Sequence, residues 1–212
     1  MTTPQPDTQS TAINVAVCIA PGTEEMEAIN TIDMLIRAGF RVTIASVASN
    51  GELIMPGSRG IKLVADTRLV DIADEQFDAV VLPGGKPGAE CFRDNPLLVE
   101  FVTQHKYDGK LIAAICAAPA LVLEHHQLFP EAIMTCHPDF MAMIPKARCR
   151  TKRVFFDVNF NLLTSQGPGT SQEFALEIIV RLAGKDKAAE VAKPMVVWPN
   201  MNYDILGKEY QV

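Results

Sequence analysis

The chain has 212 residues, 48% of them apolar and 21% charged, with a formal net charge of −6. Those figures describe a globular protein with a sizeable core and exclude a disordered or fibrous chain. The acidic balance, without a basic block, aromatic-studded patch or basic amphipathic helix, points away from nucleic acid and membrane surfaces as partners.

Residues 1–12 are polar and proline-bearing and lack the apolar centre of a secretory signal; they read as a disordered leader. Ile13–Ala20 is a continuous apolar run and predicts a buried strand. Pro21-Gly22-Thr23 turns the chain. Thr23 or the carboxylates after it can cap a helix over about Glu24–Ala38. Ile29, Ile32 and Ile36 give that helix an apolar face, and Gly39 ends it. Arg41–Val47 is the next strand. Pro56 and Gly57 interrupt Glu52–Asp66, which predicts a hairpin or irregular excursion. Asp78–Leu82 is a further buried strand. It runs into Pro83-Gly84-Gly85, a tight turn where main chain can approach a ligand closely.

Pro96–His105 reads as a helix and Leu111–Ile115 as a strand. Ala132–Thr135, Val154–Val158 and Asn161–Ser165 read as short strands. Gly167-Pro168-Gly169-Thr170 opens a helix through Ala183, Gly184 stops it, and Lys185–Ala192 forms a last short helix. No linker divides 13–197, which we take as one domain, with 198–212 as a C-terminal extension of no strong pattern. No apolar run is long enough to span a bilayer. The five cysteines are scattered, odd in number and without CxxC pairs, which suggests reduced thiols in the cytoplasm.

Strands alternating with helices imply an α/β fold: a mostly parallel sheet with helices on both faces. In such sheets ligands bind outside the carboxyl ends of the strands. Glu24–Glu27, Gly84-Gly85 and Cys116 all fall there, and their convergence defines a candidate site.

Cys116 stands where an apolar strand changes at once into an Ala-rich helical segment, LIAAICAAPALVL. A thiol at such a turn, beside free N–H groups at a helix start, favours thiolate, the nucleophilic form. The competing reading is an ordinary buried cysteine. Gly85 and Ala117 lie on neighbouring turns, where their N–H groups can receive a developing oxyanion. Glu27, in the first turn of the first helix, can reach the sulfur. A carboxyl there has its pKa raised and can act as general acid and base. The alternative is a solvated carboxylate complementing the helix N-terminus, which Glu24 and Glu25 fit well. His137, in TCHPDF, can polarise a substrate oxygen or relay a proton, or is simply a satisfied loop histidine. Cys136 beside it raises the thought of zinc, but no second ligand pair has the right spacing. Gly84-Gly85 and GPGTS match neither phosphate-loop pattern.

GTEEMEAI (22–29), RAGFRVTIA (37–45), VVLPGGKPGA (80–89), LIAAICAAPALVL (111–123), TCHP (135–138) and LLTSQGPGTSQEFALEIIVRLAGK (162–185) occur here together and in order. In these segments the chain resembles the Parkinsonism-associated deglycase proteins, the DJ-one group of the ThiJ/PfpI superfamily. The resemblance implies a flavodoxin-like three-layer sandwich, a homodimer and cofactor-independent chemistry. It implies Cys116 as the reactive cysteine, Glu27 as its protonated partner, Gly85 and Ala117 as oxyanion-hole amides, and His137 as the nearby histidine. It places Arg37 and Arg59 near a pocket at the dimer interface, and Glu24 as partner of an arginine of the other subunit. The implied substrates are small α-oxoaldehydes such as methylglyoxal and glyoxal, converted to 2-hydroxy acids through a cysteine hemithioacetal, and glycated proteins carrying early adducts. A protective role through oxidation of Cys116, as redox sensor or chaperone, is the alternative. Two related branches are set aside. The peptidase-like branch has a histidine directly after its cysteine, where this chain has Ala117. The amidotransferase elbow has flanking glycines, where this chain has Ile115 and Ala117.

Overall fold

A computed structural model describes residues 12–197. The proposed leader, save its last residue, and the proposed extension 198–212 lie outside the described residues. The main sheet has seven strands: β1 (Asn14–Ile19), β2 (Arg41–Ser46), β5 (Thr67–Arg68), β6 (Ala79–Leu82), β7 (Leu111–Ile115), β8 (Val154–Asp157) and β9 (Leu162–Ser165). Their order is β5-β2-β1-β6-β7-β9-β8. All neighbours are parallel except β8, which runs antiparallel to β9. Strands β6 and β7 are buried along their whole length, as a sheet covered on both faces requires. Five α-helices surround the sheet: α1 (Glu25–Arg37), α2 (Lys86–Arg93), α3 (Pro96–Tyr107), α4 (Ser171–Ala183) and α5 (Lys185–Ala192). Helices α1, α4 and α5 pack together, and α2 packs with α3 and with the single π-helical stretch Pro119–Glu124. This is the mostly parallel α/β architecture expected from the alternation of apolar runs, in the flavodoxin-like form that the resemblance implies.

The Glu52–Asp66 excursion is a hairpin of β3 (Ile54–Pro56) and β4 (Lys62–Val64), standing apart from the main sheet. Three elements differ from the sequence expectation. Ala132–Thr135 forms no strand; it contributes only an isolated bridge from Met134 to Cys149, because its N–H groups at Ile133 and Thr135 go instead to the side chains of Asp157 and Thr164. Helix α2 forms in a stretch to which the sequence pattern assigns no element. Proline is tolerated in a first helical turn, where no N–H partner is needed. Gly88 is there because a Cβ would sit 2.7 Å from the Thr23 nitrogen. Finally, the isoleucine face of α1 is not its core face. Ile32 is buried, but Ile29 and Ile36 are 51% and 57% exposed. The stripe that meets the sheet runs through Ala28, Thr31, Met34 and Leu35, which leaves Met26, Ile29 and Ile36 as an apolar stripe facing outward.

Candidate active site

Order reverses between β1 and β6, so the chain departs in opposite directions from neighbouring strand ends. That is where α/β sheets open a crevice. Three turns meet there. The turn after β1 leads into α1, whose first N–H groups are taken up by Glu24: its Oε2 accepts the Glu27 N–H at 2.9 Å. The Glu24 N–H donates in turn to the Gly84 carbonyl at 3.0 Å, which ties the start of α1 to the turn after β6. The third turn follows β7 and carries Cys116.

Cys116 adopts φ +67°, the left-handed region. A non-glycine residue held there costs roughly 1–3 kcal/mol and persists only where its surroundings fix it. The fixing bonds are visible: the Cys116 N–H donates to the Ser165 carbonyl at 2.9 Å, and its carbonyl accepts the His137 N–H at 2.8 Å. The residue is 8% exposed, so the sulfur sits just beneath the surface.

Gly84 makes room for the pair. A Cβ on it would lie 2.4 Å from the Cys116 Cβ, 2.7 Å from Glu27 Oε2 and 2.9 Å from the Ile115 carbonyl. Cysteine and glutamate therefore crowd the same point above a residue with no side chain. Gly85 needs glycine twice over: its φ is +81°, and a Cβ would meet the Gly22 carbonyl at 2.2 Å. Gly84→Ala is expected to lower stability by about 1–3 kcal/mol, the usual cost of overpacking a fixed core, and to slow alkylation of Cys116. Chemical denaturation and iodoacetamide labelling check it.

Glu27 is completely buried. Its Oε2 accepts the Gly84 N–H at 2.6 Å, while Oε1 has no hydrogen-bond partner. Burial outweighs that N–H and pushes the carboxyl up to about 8, so it is mostly neutral at pH 7. Burial, and then the charge of Glu27 when ionised, push the Cys116 thiol up to about 12, against the pull of the Gly85 and Ala117 N–H groups. The helix start is outweighed because the sulfur is enclosed. The site sets a neutral acid beside an enclosed cysteine, with two main-chain donors facing the sulfur.

His137 meets this cluster through its main chain. Its ring lies beside Gly167, with Cδ2 3.3 Å from where a Cβ on that glycine would be, and its side chain is about one-third exposed. The other expected residues lie further out. Arg37 is on the surface, paired with Asp33 at 2.7 Å. Arg59 is exposed, and its main-chain N–H donates to Glu25 Oε1 at 2.7 Å. Glu24 and Glu25 are not solvated. Glu24 is the α1 cap already described. Glu25 is a buried anchor that also receives the Ser58 hydroxyl and the Ile61 N–H. Burial opposes its charge, but these donors prevail and hold it below the usual carboxylate range. Sequence reading missed this role because the donors sit more than thirty residues away.

Whole-chain charge also hid a local basic run, Lys146, Arg148, Arg150, Lys152 and Arg153. Much of it is engaged internally: Arg148, half-buried, pairs with Glu124 at 2.7 Å, and Arg153 grips Glu173. Among the described residues no group of three or more His, Cys, Asp or Glu side chains is placed to hold a metal ion. No described helix is long and apolar enough to cross a membrane.

A flavodoxin-like sheet with a strained cysteine elbow, a buried neutral glutamic acid and a double-glycine turn defines a class: α/β proteins built around one enclosed cysteine–carboxyl pair. The chain belongs to the DJ-1/PfpI family, whose family model matches residues 13–181. It is 41% identical over 206 residues to Protein DJ-1 homolog B of Arabidopsis thaliana, covering 96% of this chain and 44% of that protein. The chain thus spans less than half the length of the Arabidopsis relatives it matches. It is 32% identical over 172 residues to the Glutathione-independent glyoxalase DJR-1.2 of Caenorhabditis elegans, covering 81% of this chain and 89% of that one. The structure of Toxoplasma gondii DJ-1, oxidized, superposes with a TM-score of 0.84 at 39% identity, covering 87% of this chain and 98% of that chain.

Proposed function

We propose that this protein is a cofactor-independent glyoxalase acting on small α-oxoaldehydes such as methylglyoxal and glyoxal. The observation that carries the reading is Glu27: a buried carboxyl held near 8, with one oxygen free, beside an enclosed thiol. A group titrating close to ambient pH both gives and takes protons there. The thiol of Cys116 adds to the aldehyde carbon, and its proton ends on the aldehyde oxygen, giving a hemithioacetal. The N–H groups of Gly85 and Ala117 steady the oxygen while it is charged, and His137 assists. Glu27, in its ionised form, then takes the proton from the former aldehyde carbon and returns it to the neighbouring carbon, while the hydroxyl proton passes to the oxygen on that neighbouring carbon. The product is a thioester of the 2-hydroxy acid. Water cleaves it, releasing the acid and restoring the thiol. The sum is one aldehyde plus one water giving one 2-hydroxy acid. The printed name of the nematode relative supports the same reaction class. Hemithioacetals formed on proteins during early glycation present the same carbon centre, so repair of such adducts belongs to the same proposal. The test is lactate formation from methylglyoxal by purified protein with no added glutathione.

A second reading rests on the oxidised Toxoplasma relative. Two equivalents of peroxide convert a thiol to a sulfinate and two waters, and the neutral Glu27 with the Gly85 and Ala117 N–H groups can hold its oxygens. A sensor of this kind would act through partner proteins in the cytoplasm.

The outward stripe of Met26, Ile29 and Ile36 supports a homodimer. It lies on the helix that carries Glu24 and Arg37, and the Glu25–Arg59 bond brings the hairpin loop beside the start of that helix. Ile29→Glu is expected to convert a dimer to monomer in sedimentation; a variant that stays dimeric removes this face from the interface.

A further inference from the structure

The His137 ring has two candidate partners, and they demand opposite protonation of the same nitrogen. The Asp139 main-chain N–H points at His137 Nδ1 at 3.3 Å. One Asp139 carboxylate oxygen stands 3.6 Å from that nitrogen. An amide N–H can only donate, so the first contact needs a bare lone pair on Nδ1. The second needs a proton there. The first is within hydrogen-bond range and the second beyond it. The amide contact is also built into the chain: His137 precedes the 3-10 turn Pro138–Met143 and its ring caps that turn. The Asp139 side chain, by contrast, is 80% exposed and has no second bond to hold it in place.

We propose that the Asp139 main chain is the positioning group of His137, fixing the neutral ring with its proton on Nε2. The ring then meets substrate as a hydrogen-bond donor to an oxyanion rather than as a base. The inference deepens the glyoxalase reading and rests on it for the identity of the oxyanion. The ring edge that would donate is the one facing Gly167: Cδ2, beside Nε2, is the atom nearest a Cβ there. Gly167 follows Ser165, whose carbonyl holds the Cys116 N–H. The donor edge therefore lies beside the turn after β9, the strand whose last residue holds the Cys116 N–H. A base role passes by elimination to Glu27, and the site has one proton carrier instead of two. The main chain sets the ring, so the Asp139 carboxylate is dispensable for its tautomer.

The experiment reads the resting protein without substrate, so its outcome does not depend on turnover. Nitrogen-15 NMR of the neutral histidines, with His137 assigned by loss of its signals in His137→Ala, is expected to show Nε2–H and a bare, hydrogen-bonded Nδ1. The Asp139 amide is expected to exchange its hydrogen about tenfold faster in His137→Ala than in wild type, the value of one modest hydrogen bond. Asp139→Asn, which keeps the main-chain donor, is expected to leave the tautomer as it was. A proton on Nδ1 in the wild type overturns the proposal. So does an Asp139 amide indifferent to His137→Ala, or loss of the Nε2–H form in Asp139→Asn.

Discussion

Cys116→Ala is expected to lower the conversion of methylglyoxal to lactate by at least ~1000-fold, the scale lost when a covalent nucleophile is removed. No other thiol can substitute. Cys18 and Cys136 are fully buried, and Cys91 and Cys149 are half-buried. None sits on a strand-end turn beside a carboxyl. The variant should fold normally, since alanine keeps the Cβ that packs over Gly84 and the main-chain bonds to Ser165 and His137. Full turnover in Cys116→Ala, with wild-type circular dichroism, ends the covalent mechanism.

Glu27→Gln carries the second large effect, and it separates catalysis from stability. Glutamine matches the shape and can still accept the Gly84 N–H, but it moves no proton; turnover should fall by about 10²–10⁴-fold. Stability should move the other way. The folded carboxyl is held near 8 against an ordinary value of 4.5, by burial. A raised value means that the protonated form is favoured by folding. The wild type is thus most stable below about pH 4.5 with respect to this group, and loses that contribution as pH rises through about 8. The full span is on the order of 5 kcal/mol. Glutamine has no charge to bury, so urea denaturation of Glu27→Gln should be flatter than wild type between pH 5 and 8. At pH 8 the variant should be the more stable protein. Equal slopes for the two would show that Glu27 is not the buried acid described here.

Much of this was legible in the chain itself, for physical reasons. Strands β6 and β7 are continuous apolar runs because both faces are covered, and α5 begins after Gly184, which breaks the helix before it. The change from strand to Ala-rich segment marked the elbow at Cys116. Periodicity announced an apolar stripe on α1, but a stripe does not say which neighbour it meets, and Ile29 and Ile36 turned out to face solvent. Glu25 looked like a helix-start carboxylate because its partners come from the hairpin loop. Nothing local distinguishes Asp139 either; its part in the site is played by main chain, to which residue identity is nearly blind.

The outermost strands of the main sheet deserve one last consideration. One flank ends in β5, only two residues long, and the other in β8, which runs against its neighbour and has four. Neither offers a long ladder of unpaired amides for another copy to extend, so zipper-like growth into fibrils has no ready template. Resistance to clumping is thus written in the backbone, where chemical modification of surface side chains does not reach it.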